Sequence, residues 1–161
     1  MMRYLSAETS CGRLWVAYRG DHICFSMLGV TEDCFRTECA RRVGEAPEPA
    51  TDSAVAERVR ARLRTDQEMS FDLAGWTAFQ RDVLSAVAAI PRGQVRTYAE
   101  VASSVGRPRA ARAVGEVMRT NPIPVLIPCH RVVRSGGAIG NYTPHPDIKR
   151  RLLIEEGAIT E

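Results

Sequence analysis

Long apolar runs are missing from this sequence of 161 residues. No stretch approaches the roughly 18 apolar residues that a membrane-spanning helix needs. The first twelve residues also lack the basic and then apolar layout of a secretory signal peptide. Internal repeats and low-complexity tracts are absent as well. We therefore expect a globular cytoplasmic protein, because 45% hydrophobic and 25% charged residues suffice for one domain or two small ones.

Paired cysteine patterns are absent too. The five cysteines are odd in number, and no two of them have C-x-x-C spacing. This argues against a disulfide framework and against a zinc ribbon. We predict that the chain holds no metal and needs no cofactor.

Negative charge is scarce in the second half of the chain. Residues 1–75 carry 10 basic and 12 acidic side chains, whereas residues 76–161 carry 12 and 7. The halves therefore have net charges of −2 and +5. An excess of positive charge favours phosphate contacts, so nucleic acid is a candidate partner of the second half, although ordinary surface scatter gives similar asymmetries.

The first half predicts strands followed by helices. Three β-prone runs separated by turn signals predict a small antiparallel meander over residues 2–28. Helices are predicted at about 31–43 and 52–65. A polar stretch then favours a boundary between a supporting domain, residues 1–72, and a second domain, residues 73–161. The predicted class is α+β, with an antiparallel sheet in the first domain and a mostly helical second domain.

The second half contains clear signals for helix starts and stops. The T-x-x-Q run at 77–80 and the T-x-x-E run at 97–100 are capping boxes. They predict one helix whose apolar face extends to Ile90 and a short helix that extends through Val105. A last helix is predicted over 146–156, closed by a glycine.

A third helix of the second half is predicted over 109–119, because Pro108 suits a first helical turn. The two short helices, joined through glycine and proline, form a candidate helix-turn-helix of winged-helix type. The second of them carries three arginines and one acidic residue. Helix pairs of this kind also occur in proteins that bind no DNA.

One cysteine has a distinctive setting. Closely spaced prolines and apolar side chains predict a buried strand over 125–127, which would leave Cys129 at a strand end. The adjacent His130 suits activation of a thiol, although neighbours on an extended segment point to opposite faces, so we expect it to act through a bridging water. A buried, inert cysteine beside a structural histidine is the alternative.

Six stretches between residues 79 and 157 occur in a distinctive order and spacing. They are Ile90-Pro91-x-Gly93, Thr97-Tyr98-Ala99-Glu100-Val101-Ala102, Ala110-Ala111-Arg112-Ala113-Val114-Gly115, Asn121-Pro122-x-Pro124, Ile127-Pro128-Cys129-His130-Arg131-Val132-Val133 and Gly140-Asn141-Tyr142. This half of the chain resembles the C-terminal domain of the O6-alkylguanine-DNA alkyltransferases, or methylated-DNA–protein-cysteine methyltransferases. The first half fits that family more loosely.

The resemblance implies irreversible, single-turnover transfer of an alkyl group, such as methyl, from O6-alkylguanine in duplex DNA to Cys129. O4-alkylthymine is a further implied substrate. By the same resemblance His130 is the water-mediated base and Glu156 orients it. Asn121 braces the turn, and the Tyr98 hydroxyl assists departure of the base.

The resemblance also implies how DNA is bound. The lesion nucleotide is flipped out of the duplex, and Arg112 fills the space that it leaves. Small residues allow close approach in the minor groove. The implied DNA contacts are Thr97, Ala111, Arg112, Ala113, Gly115 and Arg119. The implied pocket residues are Met118, Val132, Tyr142, Thr143 and Pro144. The expected partner is double-stranded DNA containing alkylated guanine, bound by a monomer.

Two features depart from the family. Residues 143–146 read Thr-Pro-His-Pro where the family has a small, glycine-rich loop, and prolines remove backbone donors. We therefore expect an altered preference between methyl and bulkier groups. Some members also hold zinc near the N-terminus, but Cys11, His22 and Cys24 do not match such a site.

Three other functions remain as alternatives. Alkyltransferase-like proteins bind alkylated DNA without the cysteine, which this chain retains. A helix-turn-helix regulator would explain the charge asymmetry but not the Pro-Cys-His-Arg run. A cysteine hydrolase would need an oxyanion site, and the sequence indicates none.

Overall fold

The computed structural model describes residues 1–50, 53–136, 138–140 and 146–160, and its class is α+β, as predicted. The strands are β1 (Arg3–Thr9), β2 (Gly12–Arg19), β3 (His22–Leu28), β4 (Glu48–Pro49), β5 (Ser70–Phe71), β6 (Arg96–Thr97) and β7 (Val132–Val133). The helices are α1 (Glu32–Val43), α2 (Ser53–Thr65), α3 (Ala78–Ala88), α4 (Tyr98–Ser104), α5 (Ala111–Arg119) and α6 (Pro146–Glu155). Of the described helices, none has the length and apolar character to cross a bilayer.

The first compact unit comprises residues 1–74 and 122–126. Strands β1, β2 and β3 form the predicted antiparallel meander, and the short strands β4 and β5 join its edges in parallel. Helix α1 covers this sheet through an aromatic cluster with ring centroids 5.7 to 6.1 Å apart. The cluster consists of Tyr4, Trp15, Phe25 and Phe35. Buried aromatic area of this kind is a large share of the stability of a small unit.

Residues 125–127 do not form the strand that the sequence predicts. Val125 has a φ of +71°, which is far from extended backbone and strained for a β-branched residue. Proline at 122 and 124 removes the backbone donors that a sheet ladder would need. Leu126 and Ile127 are buried in an irregular loop, and residues 122–126 belong to the first unit although the sequence assigned them to the second domain.

Two residues of the first unit hold this loop by its carbonyl groups. The Ser26 N–H and hydroxyl donate to the carbonyls of Pro122 and Pro124, over 3.0 and 2.8 Å. The buried Arg62 guanidinium donates twice to the Leu126 carbonyl, over 3.0 and 3.1 Å. These hydrogen bonds therefore come from residues distant in the sequence, which satisfies buried polar groups without a sheet.

The second compact unit comprises residues 75–121 and 127–161. Both predicted capping boxes form, with Thr77 opening α3 and Thr97 opening α4. Helix α5 begins at Ala111, two residues later than predicted. Ala110 donates its N–H to the Arg107 carbonyl over 2.9 Å, so the preceding residues form a separate turn and the helix follows it.

Helix α6 ends in a glycine cap, as predicted. Gly157 has a φ of +78°, and the Ala158 N–H donates to the Leu153 carbonyl over 2.9 Å. Glu156 donates its N–H to the Leu152 carbonyl over 3.0 Å, so it continues the last turn of the helix. A rigid backbone therefore carries the Glu156 side chain.

Candidate active site

Cys129 begins a tight 3-10 turn over Cys129–Arg131, so the predicted strand-end position is wrong. The Cys129 N–H donates to the Ile127 carbonyl over 2.7 Å, and the Arg131 N–H donates to the Pro128 carbonyl over 2.9 Å. This turn replaces extended backbone, so the alternation of faces expected for Cys129 and His130 does not apply.

The Cys129 thiol is buried, with 6% of the residue exposed. Burial raises the pKa of this thiol. A hydrogen bond from Asn121, the positive charge of Lys149 and nearby backbone N–H groups act in the opposite direction and lower it. The site thus contains groups that favour the reactive thiolate in an otherwise unfavourable apolar environment.

Lys149, which the sequence did not single out, is the only lysine in the chain. It is 1% exposed, and its ammonium donates to the Val132 carbonyl over 2.7 Å. Burial lowers the pKa of Lys149 to about 8, against the opposing charge of Cys129. A buried cation beside a thiol is an electrostatic aid to thiolate formation.

His130 and Glu156 form the predicted pair. The two atoms His130 Nε2 and Glu156 Oε2 lie 2.9 Å apart, and the side chains are 1% and 6% exposed. Although burial raises the pKa of Glu156, hydrogen bonds and charges from His130 and Arg131 bring it down to about 2. An ionised carboxylate can only accept a hydrogen bond, so Nε2 carries the proton and Nδ1, which is also buried, carries the lone pair. Burial lowers the pKa of His130, which favours the neutral ring.

Arg131 completes this network, and the sequence analysis assigned it no role. Its guanidinium donates to both carboxylate oxygens of Glu156, each over 2.9 Å, and to the Ile90 carbonyl over 2.6 Å. Such a bidentate pair fixes the plane of the carboxylate. The only sequence signal was the position of Arg131 within the Pro-Cys-His-Arg run.

Asn121 occupies the place expected of a bracing residue. It is 7% exposed, and its side-chain amide donates to the Ile127 carbonyl over 2.9 Å. Asn121 thus contacts the backbone before the turn and the thiol within it.

A cavity of about 710 Å³ opens beside Cys129 in the second unit. Its lining residues are Tyr98, Ala99, Ala111, Arg112, Gly115, Glu116, Met118, Arg119, Cys129, Arg134 and Ser135. The volume lies within the roughly 300–1,000 Å³ of small-molecule sites. Helix α5 contributes one face, since most of its lining residues recur three or four positions apart.

Not every predicted site residue reaches this cavity. Six of the described ones are outside its lining, namely Thr97, Ala113, Asn121, His130, Val132 and Glu156. Thr97 caps α4 with its hydroxyl, which accepts from the Glu100 N–H over 3.0 Å, and Ala113 is exposed on α5. The predicted pocket residues 142–144, and with them most of the loop 143–146, lie outside the described residues.

Tyr98 lies at the first turn of α4 and lines the cavity with the thiol. Burial raises the pKa of its hydroxyl, the charge of Cys129 raises it further, and Arg134 lowers it. The net direction is upward, so the hydroxyl keeps its proton at neutral pH and can donate.

Comparison with known proteins identifies the family. Residues 78–158 match the model of the 6-O-methylguanine DNA methyltransferase DNA-binding domain. The chain is 34% identical over 157 residues to the methylated-DNA–protein-cysteine methyltransferase of Mycobacterium bovis. The aligned region covers 95% of this chain and 91% of that protein.

The protein of the same name from Methanosarcina acetivorans is 45% identical over 82 residues, which cover 51% of this chain and 53% of that protein. The match thus spans about half of that relative's length. The crystal structure of Mycobacterium tuberculosis OGT in complex with DNA has a TM-score of 0.78 at 30% identity, covering 97% of this chain and 93% of that one. The chain therefore belongs to the O6-methylguanine-DNA methyltransferase family, whose curated members are named methylated-DNA–protein-cysteine methyltransferases.

Proposed function

We propose that this protein repairs DNA by moving an alkyl group, such as methyl, from O6 of guanine to the sulfur of Cys129. The observation that carries the proposal is the setting of that thiol. It lines a cavity that can hold a purine base, and Asn121 and Lys149 favour its thiolate. Membership of the family supports the same reaction.

His130 acts as the base. Its Nε2–H is held by Glu156, so Nδ1 accepts the thiol proton, through one water in our proposal. The thiolate then forms the bond from sulfur to the alkyl carbon, while the bond from that carbon to O6 breaks. Burial keeps His130 neutral and able to accept a proton.

Tyr98 assists the leaving group. Guanine departs with the electron pair of the broken bond, and an anionic base is a poor leaving group. A hydrogen bond or proton from the Tyr98 hydroxyl reduces that charge in the transition state. The product is guanine with its proton restored and a thioether on Cys129. Because a thioether is not readily cleaved, each protein molecule reacts once.

The second unit binds the duplex, with α4 and α5 acting as a helix-turn-helix in the minor groove. Arg112 fills the stack that the nucleotide vacates, and its exposure at the cavity supports this role. The small Ala111 and Gly115 share that face and permit close approach of the backbone. Since Cys129 is buried, the target nucleotide has to be flipped into the cavity, at a cost of a few kcal/mol.

Intact-mass analysis tests this proposal. The protein is incubated with a duplex containing one O6-methylguanine, and peptides are mapped afterwards. We expect one added methyl group on Cys129, none on the Cys129→Ser variant and no further turnover with excess duplex. An unmodified protein that still binds the lesion duplex would refute transfer and indicate a binding-only function.

Two finer predictions need separate substrates. A duplex with O4-methylthymine tests the second proposed lesion. Matched duplexes with methyl and benzyl groups on O6 test the altered preference that the Thr-Pro-His-Pro run at 143–146 predicts. A methyl preference equal to that of the Mycobacterium bovis relative would contradict it.

A further inference from the structure

Three arginines line the cavity beside Cys129, and two of them already have an assignment or an ion-pair partner. Arg119 is paired with Glu116 over 2.8 Å. Arg112 is assigned to the vacated base stack. Arg134 lies on the segment that directly follows β7.

A backbone hydrogen bond holds Arg134 in place. Its N–H donates to the Ala138 carbonyl over 2.9 Å. A side chain at Gly140 would lie 3.5 Å from Arg134 Cγ and 3.3 Å from the Tyr98 hydroxyl. Arg134 Cγ and the Tyr98 hydroxyl thus border the same space, which the absence of a side chain at Gly140 leaves open.

No carboxylate of the described residues neutralises the charge of Arg134. None of the ion pairs found within the described parts of the chain includes Arg134. The charge of Arg134 also acts on a second cation, since it further lowers the already lowered pKa of Lys149. Arg134 is exposed, so its guanidinium is free to meet a ligand. Arg134 lines the cavity and the buried Lys149 ammonium lies near its stem, and a cation at a cavity favours an anionic ligand.

We propose that Arg134 binds a backbone phosphate of the alkylated strand, next to the flipped nucleotide. This inference rests on the proposed function, because it assumes that the lesion base enters the cavity. The base has to point at the buried Cys129, so the sugar and phosphate remain at the mouth, where Arg134 is exposed. A planar guanidinium suits two phosphate oxygens at once.

Equilibrium binding tests the phosphate contact without any chemistry. Arg134→Gln and Arg134→Lys are introduced into the Cys129→Ser protein, and Kd for an O6-methylguanine duplex is measured over a range of salt concentrations. Loss of one phosphate contact lowers the slope of log Kd against log salt by about 0.9. We expect that change for Arg134→Gln, with affinity about tenfold weaker at low salt, and little change of slope for Arg134→Lys.

Arg150→Gln is the matched control, because Arg150 is exposed on α6, outside the cavity lining, and is changed in the same way. It should leave the slope within error of the parent. An Arg134→Gln slope equal to that of the Arg150→Gln control overturns the proposal.

Reaction rates show whether Arg134 binds the phosphate or the departing base. With Cys129 present, the rate constant is measured for the duplex and for free O6-benzylguanine, which has no phosphate. We expect Arg134→Gln to lower the ratio of duplex to free-base rate constants about tenfold. An equal fall for both substrates would place Arg134 at the base instead and refute the phosphate contact. If the wild-type protein takes an alkyl group from neither substrate, the proposed function fails. The salt dependence of Kd still shows whether Arg134 contacts a phosphate.

Discussion

His130 donates its Nε2–H to the carboxylate of Glu156 over 2.9 Å, at a place where both side chains are almost entirely buried. Arg131 holds the same carboxylate from the other direction with two hydrogen bonds. The carboxylate therefore orients the ring and balances the buried guanidinium at once. Because of this double role, we expect Glu156 to affect both the stability of the fold and the reactivity of the site.

Replacing Glu156 by Gln should destabilise the fold. The Arg131 charge would remain buried without its counterion, and breaking such a pair costs about 3–5 kcal/mol. The free energy of unfolding in urea measures the loss. Asp82→Asn is the control, since Asp82 is exposed on α3, and its effect should stay within about 0.5 kcal/mol. Equal effects of the two variants would contradict this assignment.

Acid should remove the stability that Glu156 contributes. Its pKa is about 2 in the folded protein against 4.5 ordinarily, so the unfolded chain binds the proton first as the pH falls. The contribution is complete above pH 4.5 and is lost as the pH falls from 4.5 towards 2. The difference in unfolding free energy between the wild type and Glu156→Gln should therefore shrink over that range. A difference that stays constant from neutral pH to pH 3 would speak against the low pKa.

Lys149→Met should make Cys129 less acidic. Removing the buried positive charge raises the thiol pKa, so alkylation of Cys129 by iodoacetamide should need a higher pH. Peptide mapping separates Cys129 from the other four cysteines. Lys149→Arg keeps the charge and is the control. An unchanged pH profile in the folded Met variant would show that Lys149 has no electrostatic effect on the thiol.

The ammonium of Lys149 can be observed directly, because the chain has one lysine. With isotope-labelled lysine, a single ε-methylene signal should titrate near pH 8 in the unreacted protein. The negative charge of the Cys129 thiolate raises that pKa, so it should fall after the sulfur is methylated. A titration near the ordinary value of 10.5 would contradict the burial of this amine.

Gly115→Ala should separate folding from DNA binding. A Cβ at Gly115 would meet Tyr98 ring atoms at 3.9 and 4.0 Å, which is ordinary van der Waals contact. Alanine in a helix interior is more favourable than glycine by roughly 0.5–1 kcal/mol. We therefore expect a melting temperature that is unchanged or higher, with weaker binding to duplex DNA because the added methyl group obstructs the approach of the backbone. Undiminished duplex affinity would remove Gly115 from the proposed interface.

The elements that could be predicted from sequence are those with local signals. Thr77 and Thr97 start helices because a capping box is completed within four residues of the chain. The strand predicted over 125–127 is wrong because apolar character alone does not distinguish a strand from a buried loop. The hydrogen bonds that hold this segment and the preceding Pro124 come from Arg62 and Ser26, which are far away in the sequence.

By itself, the sequence determined the family and which side chains can react, because order and spacing of motifs are local properties of the chain. Only the tertiary structure decided their chemical state. Burial makes His130 neutral, Arg131 keeps Glu156 ionised, and Lys149 lies beside a thiol twenty residues earlier in the chain. Protonation depends on the solvent and charges that surround a group, and those surroundings exist only once distant segments have packed together.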